Sequence, residues 1–154
     1  MKLFSQTTLD YKTFQNATIL LVILIIPMSY IHETGHAIIC SVEENEFNLS
    51  VGINGGSLVC LGELENKILF YSFGGLFAML VALSPFVNFT WMKENRWALI
   101  VSLSLAIGHG TNAIVETIFN SWYLQQTIGP LILLNGVSIS AYFLLLFYLG
   151  RKNE

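Results

Sequence analysis

Charge is the scarcest property of this chain: 11% of its 154 residues are Asp, Glu, Lys or Arg, against about 25% in a soluble domain. With 54% hydrophobic residues and a positive mean hydropathy, the balance excludes a soluble enzyme and a disordered tail. Seven basic residues among ten acidic ones give no footprint for nucleic acid, and two cysteines are too few for a disulfide-stapled miniprotein. Asp10 is the only aspartate, and no internal repeat or low-complexity tract breaks the sequence. What is abundant is apolar sequence in long runs, and the length allows one domain with a handful of membrane spans of about 20 residues each.

Hydropathy predicts an all-α polytopic membrane protein, a single domain over residues 1–154 with four transmembrane helices and a β-hairpin between the first two. The spans run from about Thr18 to Ser41, Ile68 to Phe89, Ala98 to Phe119 and Ile128 to Leu149. Trp91, Trp97, Trp122 and Tyr123 stand at span ends, where amphipathic aromatics prefer the headgroup level. Lys2, Lys12, Lys93, Arg96, Arg151 and Lys152 fall in segments that four spans place on one side; the other side holds Lys67 and five glutamates, Glu43, Glu44, Glu46, Glu63 and Glu65. The positive-inside rule then predicts an integral, multi-pass protein with both termini cytoplasmic. The first helix lacks a small-residue cleavage pattern and carries histidines, so it reads as retained and not as a signal peptide.

Residues 42–67 form the one sizeable hydrophilic segment. Within it, Asn54-Gly55-Gly56 separates two apolar runs, which predicts a hairpin over about 47–61, with strands Phe47–Ile53 and Ser57–Leu61. Its side chains are too apolar for a free loop, so a dip into the membrane surface is expected, which backbone tolerates only under protein cover. Cys60 in the hairpin and Cys40 in the first span suit three states: a disulfide on the outer face, a soft metal pair, or free buried thiols, the last being the ordinary state of cysteine in apolar surroundings.

All three histidines, His32, His36 and His109, fall within spans, as do the carboxylates of Glu33 and Glu116. A charge at a helix centre costs about 2.5–3.5 kcal/mol on insertion scales, so such groups face a partner or a cavity. His32-Glu33-Thr34-Gly35-His36 is an HExxH pattern. On a helix the two imidazoles share a face and can grip one divalent ion, zinc in the first instance, while Glu33 stands beside them as a general base. The plain alternative is a chance pentapeptide, which the expense of three polar groups in a lipid-spanning helix opposes. Two histidines need a third ligand. His109, Asn112 and Glu116 form one stripe of the third span, which runs parallel to the first at overlapping depth. His109 is the first choice and Glu116 the next, with Asn112 as an alternative ligand or orienting group; a metal-free polar network of the same residues is the competing reading. Pro27 should kink or loosen the first helix, or simply pack, and Gly74-Gly75 reads as close helix packing.

An HExGH sequence in a membrane helix, followed by a glycine-rich hairpin and two further spans, resembles the site-2 protease family of intramembrane zinc metalloproteases. The resemblance covers about residues 18–122 and rests on His32, Glu33, Gly35 and His36, more loosely on the hairpin and Gly74-Gly75. That glycine pair falls where the family often has Gly-Pro-x-x-Asn, with Gly75 and Ala78 here in place of Pro and Asn. The resemblance implies zinc on His32 and His36, Glu33 as general base, and a substrate strand paired to the hairpin edge around Asn54, Gly55 and Gly56. The family's third ligand is the aspartate of a Leu-Asp-Gly motif. Here Asp10 lies before the first span, and Leu134-Asn135-Gly136 echoes the motif one span late, with asparagine, a poor zinc ligand, in place of the aspartate. Family members generally open toward the cytoplasm, whereas the charges put this HExxH in the outer half.

Two functions follow from these residues. One is a metal-dependent intramembrane peptidase acting on a transmembrane protein substrate. The other is a non-proteolytic accessory subunit of a larger membrane complex, such as an oxidoreductase, in which neighbouring membrane subunits meet the polar cluster. A transporter fits less well, because no repeat symmetry or pair of broken helices is visible. The lipid bilayer is a partner in every case, and nucleic acid in none.

Overall fold

A computed structural model describes residues 9–52, 55–120 and 129–151. Helix α1 (Tyr11–Val42) is followed by strands β1 (Phe47–Gly52) and β2 (Gly55–Cys60). Then come α2 (Lys67–Leu83), a 3-10 turn (Ser84–Asn88), the short α3 (Phe89–Glu94), α4 (Arg96–Ile118) and α5 (Gly129–Leu149). By length and composition, three helical stretches can cross a membrane: Tyr11–Val42, Lys67–Glu94 and Arg96–Ile118. The described side chains of α5 form a shorter apolar helix, Asn135–Leu149. Ile19, Val22, Ile23 and Ile26 of α1 lie exposed on the outside of the bundle, a contiguous apolar face that suits lipid.

Helix α1 begins well before the expected Thr18. Asp10 is its N-cap: the carboxylate accepts from the Thr13 amide at 3.2 Å and from the Thr13 hydroxyl at 2.6 Å. The second span is not one α-helix to Phe89. Pro85 has no amide hydrogen and its ring crowds the carbonyl four residues back, so α2 stops at Leu83 and the chain tightens to 3-10 geometry. Trp91 and Trp97 meet edge-to-face at 6.0 Å; Trp122, Tyr123 and Ile128 lie outside the described residues.

The bundle has two distinct ends. At the terminal end, Leu9 bridges Arg151 in antiparallel fashion, the Asp10 amide donates to Gly150 O at 2.9 Å, and the Arg96 guanidinium donates to Arg151 O at 3.0 Å. The start of α1, the start of α4 and the end of α5 therefore meet there. At the hairpin end, the Glu43 carboxylate accepts from the amides of Glu65 (2.9 Å) and Asn66 (3.1 Å), and Asn66 caps α2 through the Leu69 amide.

Helix α2 lies between α1 and α4, and glycine sets both contacts. A Cβ on Gly35 of α1 would stand 2.8 Å from Gly74 Cα, and one on Gly75 would stand 2.6 Å from His109 O and Ala113 N of α4. Lipid is as apolar as leucine, so association in a membrane relies on such close backbone approach. The expected close packing at Gly74-Gly75 is what is found, each glycine serving a different neighbour.

The hairpin folds back along α1. Its register pairs Phe47 with Cys60 and Gly52 with Gly55, so the first strand ends one residue before the expected Ile53 and the second begins two before the expected Ser57; Gly55 takes φ 115°, which side-chain-bearing residues rarely adopt. On β2, alternate residues face α1. Gly56 rests on Glu33, Leu58 packs on the cluster of Ile39, Cys40 and Phe70, and Cys60 is joined to Cys40 in a disulfide. Free buried thiols, the ordinary expectation, are thus replaced by a covalent bond. The fold-back is the reason, since it brings two residues 20 apart in sequence to a Cα separation of 6.0 Å. From the level of Cys40 to that of Glu33, the tip reaches about 10 Å back along the helix.

Candidate metal centre

One turn of α1 supplies His32 and His36, and i, i+4 spacing turns both rings to the same side. Their Nε2 atoms stand 3.2 Å apart. Helix α4 brings the Glu116 carboxylate over them, with Oε1 3.3 Å from His32 Nε2 and Oε2 3.4 Å from His36 Nε2. All three residues are buried, and one donor atom from each falls within 4.8 Å of the others, a grouping able to hold a metal ion.

The surroundings fix the donors. His36 Nδ1 lies 2.7 Å from Phe70 O. A carbonyl only accepts, so Nδ1 carries the hydrogen and the neutral ring turns the Nε2 lone pair toward His32 and Glu116. A Cβ on Gly74 would collide with that same ring, so α2 can lie on His36 only where a side chain is missing. Asn112, 1% exposed, donates from Nδ2 to Glu116 Oε1 at 2.9 Å and lies 3.3 Å from His32 Nε2. The asparagine therefore orients the carboxylate.

The distances suit an ion's cradle. A charge-assisted N–H···O bond closes to about 2.7–2.9 Å. Donors around a tetrahedral ion with bonds of about 2.0–2.1 Å stand roughly 3.3 Å apart. The separations of 3.2, 3.3 and 3.4 Å match the second pattern. Two imidazoles and a glutamate are also the donor set of catalytic zinc sites that keep a fourth position open.

Glu33 is 8% exposed and makes no hydrogen bond among the described residues. The backbone of Gly56 covers it: a Cβ there would lie 2.9 Å from Glu33 Oε1 and closer still to its Cγ. A buried carboxylate thus stands free beside the donors, under the hairpin. Of the residues expected to bind substrate, Gly56 is at the site, Gly55 shapes the tip beside it, and Asn54 lies outside the described residues.

His109 is buried next to the group but is not one of its three donors. Its ring centroid lies 5.5 Å from that of His32, and its Nδ1 is enclosed without a partner among the described residues, as is His32 Nδ1. The donor that α4 brings to the pair is Glu116, two turns further along. Depth already carried that signal, because Glu116 lies about as far into the third span as His36 lies into the first. The Phe70 carbonyl and the bare face of Gly74 had no such signal, since backbone groups look alike at every position. No family model, curated protein or solved structure matches the chain.

Proposed function

We propose that the chain is a four-span integral membrane metallopeptidase with both termini cytoplasmic, hydrolysing a peptide bond of a membrane-embedded substrate at a zinc ion on His32, His36 and Glu116. The observation that carries this reading is a His-His-Glu donor set at ion-like spacing with an unbonded carboxylate, Glu33, buried beside it. The resemblance of the HExGH segment and hairpin to site-2 proteases supports the same chemistry. The convergence of Leu9, Arg96 and Arg151 at one end of the bundle supports an even number of crossings, with α5 as the fourth.

Zinc, when bound, supplies Lewis acidity toward a carbonyl oxygen and toward water. The chain's own groups do the rest. Glu33 takes the proton of the attacking water and returns it to the leaving nitrogen. Asn112 and the Phe70 carbonyl keep Glu116 and His36 aimed, which holds the site to one geometry. Gly56 brings hairpin backbone against Glu33, and a substrate strand added to the hairpin would present its carbonyl there. With Glu33 and Glu116 ionised, the divalent cation balances both charges, so the loaded centre buries none in excess.

The test is metal content. Purified full-length protein should carry about one equivalent of zinc, and His32→Ala and His36→Ala should each lose it. Zinc retained in both variants would remove the centre.

A further inference from the structure

We infer that the centre opens to the oxidising, hairpin side of the membrane, so that its substrates are membrane-anchored polypeptides cut near the outer end of their span and released outward. This rests on the peptidase reading above. Each cut adds one water across a C–N bond, its hydroxyl to the carbonyl carbon and its proton, through Glu33, to the departing nitrogen.

Depth is the first argument. His36 lies about 9 Å and His32 about 15 Å from the end of α1 at Val42, while His32 is about 30 Å from Tyr11 at the other end. Glu116 lies only about 3 Å from the end of α4 at Ile118. The donors thus sit in the hairpin third of the bundle. Apolar packing is the second argument. Between the donors and the terminal end, Met28 of α1, Ala78 of α2, Val101 and Leu105 of α4 and Tyr142 of α5 form one buried cluster from all four long helices. Such a layer offers water and a polar peptide no hydrogen-bond partners. On the other side, what covers Glu33 is the hairpin backbone at Gly56.

The identity of that side follows from two unrelated kinds of chemistry. Cys40 and Cys60 are bonded at the hairpin end, and disulfides persist in oxidising compartments and are rare where glutathione keeps thiols reduced. The basic residues Lys12, Arg96 and Arg151 gather at the opposite end, the signature of the cytoplasmic face. Redox chemistry selects one and insertion selects the other, and they agree.

The experiment uses the full-length protein in sealed right-side-out and inverted vesicles. Ser57→Cys and Glu63→Cys each add one thiol on the exposed hairpin side while the native cysteines stay paired, and Glu94→Cys adds one at the terminal end. A membrane-impermeant maleimide should label the first two in right-side-out vesicles and the third in inverted ones; the reverse pattern overturns the inference. Zinc should then be stripped by an impermeant chelator at least tenfold faster from right-side-out vesicles. Faster stripping from inverted vesicles overturns the access even with the hairpin outside. Zinc missing from both preparations overturns the centre and the inference together, a failure that the maleimide pattern tells apart from a wrong side.

Discussion

Along α4, Ile100, Val101 and Leu105 pack into an apolar cluster with Ala82 and Tyr142, while His109, Asn112 and Glu116, one to three turns on, meet imidazoles and a hairpin. The two ends of the bundle use the same helices for different work. At the terminal end the packed side chains are mostly apolar, their lipid alternative is equally apolar, and the gain comes from fit and a few hydrogen bonds. At the hairpin end His32, His36, Asn112 and Glu116 are buried polar groups, taken from water at an expense of kilocalories, and α1 and α4 meet through them. Substitutions at the hairpin end should therefore change chemistry and metal binding, and those at the terminal end only assembly.

The largest effect expected from this contrast is at Glu33, whose carboxylate makes no hydrogen bond among the described residues. Glu33→Gln should leave zinc at its wild-type level while cleavage of a co-expressed membrane-anchored substrate falls about 10²–10⁴-fold, the usual worth of a positioned acid–base group. An identical substrate profile in wild type and Glu33→Gln, seen by comparing membrane proteomes, would end the peptidase reading and favour the accessory-subunit one.

Next comes the third donor. Glu116→Ala removes a ligand and should abolish zinc binding at micromolar free metal. His109→Ala, beside the donors but not among them, should keep affinity within about tenfold of wild type, the low end of what an outer-shell change costs. Competition with a chromogenic chelator reads both. Loss in His109→Ala with retention in Glu116→Ala would transfer the role.

Gly74 gives a third and smaller separation. Its missing side chain is what lets α2 lie on the His36 ring while the Phe70 carbonyl, one turn earlier, holds Nδ1. Gly74→Ala should push the ring off line and weaken zinc about 10–100-fold, with the helices still inserted. Affinity equal to wild type would show that the ring moves without penalty.

The sequence announced what depends on side chains at a fixed spacing. ILLVILII marked α1, i, i+4 marked His32 and His36, and the His109–Asn112–Glu116 stripe marked the face of α4 that meets them. It concealed what depends on where the chain returns in space. Nothing in the spacing of Cys40 and Cys60 says that the hairpin doubles back along α1, and their bond followed only from that. The choice between His109 and Glu116 is intermediate: both lie on the right stripe, and the equal depth of Glu116 and His36 in their spans was the one sequence signal that separated them. The start of α1 is a different case. Asp10 is an ordinary N-cap residue and the signal was present, but hydropathy weighs apolar content and is blind to caps.

The smallest effect lies at the terminal end and tests whether it is truly separate. Tyr142 of α5 and Thr18 of α1 share a hydrogen bond of 2.7 Å. The Thr18 hydroxyl also lies 2.9 Å from Phe14 O, which can only accept, so Thr18 donates to Phe14 and Tyr142 is the donor to Thr18. Tyr142→Phe removes that donor and leaves Thr18 still bonded to its own helix, so no buried donor is orphaned. The cost should be about 0.6 kcal/mol, typical of interhelical hydrogen bonds in membranes, read as a small shift in unfolding by sodium dodecyl sulfate. Zinc affinity should not move, because Tyr142 belongs to the apolar cluster and touches none of the donors. A fall in zinc affinity in Tyr142→Phe would mean that the two ends are mechanically one, and the division of labour between them would have to be given up.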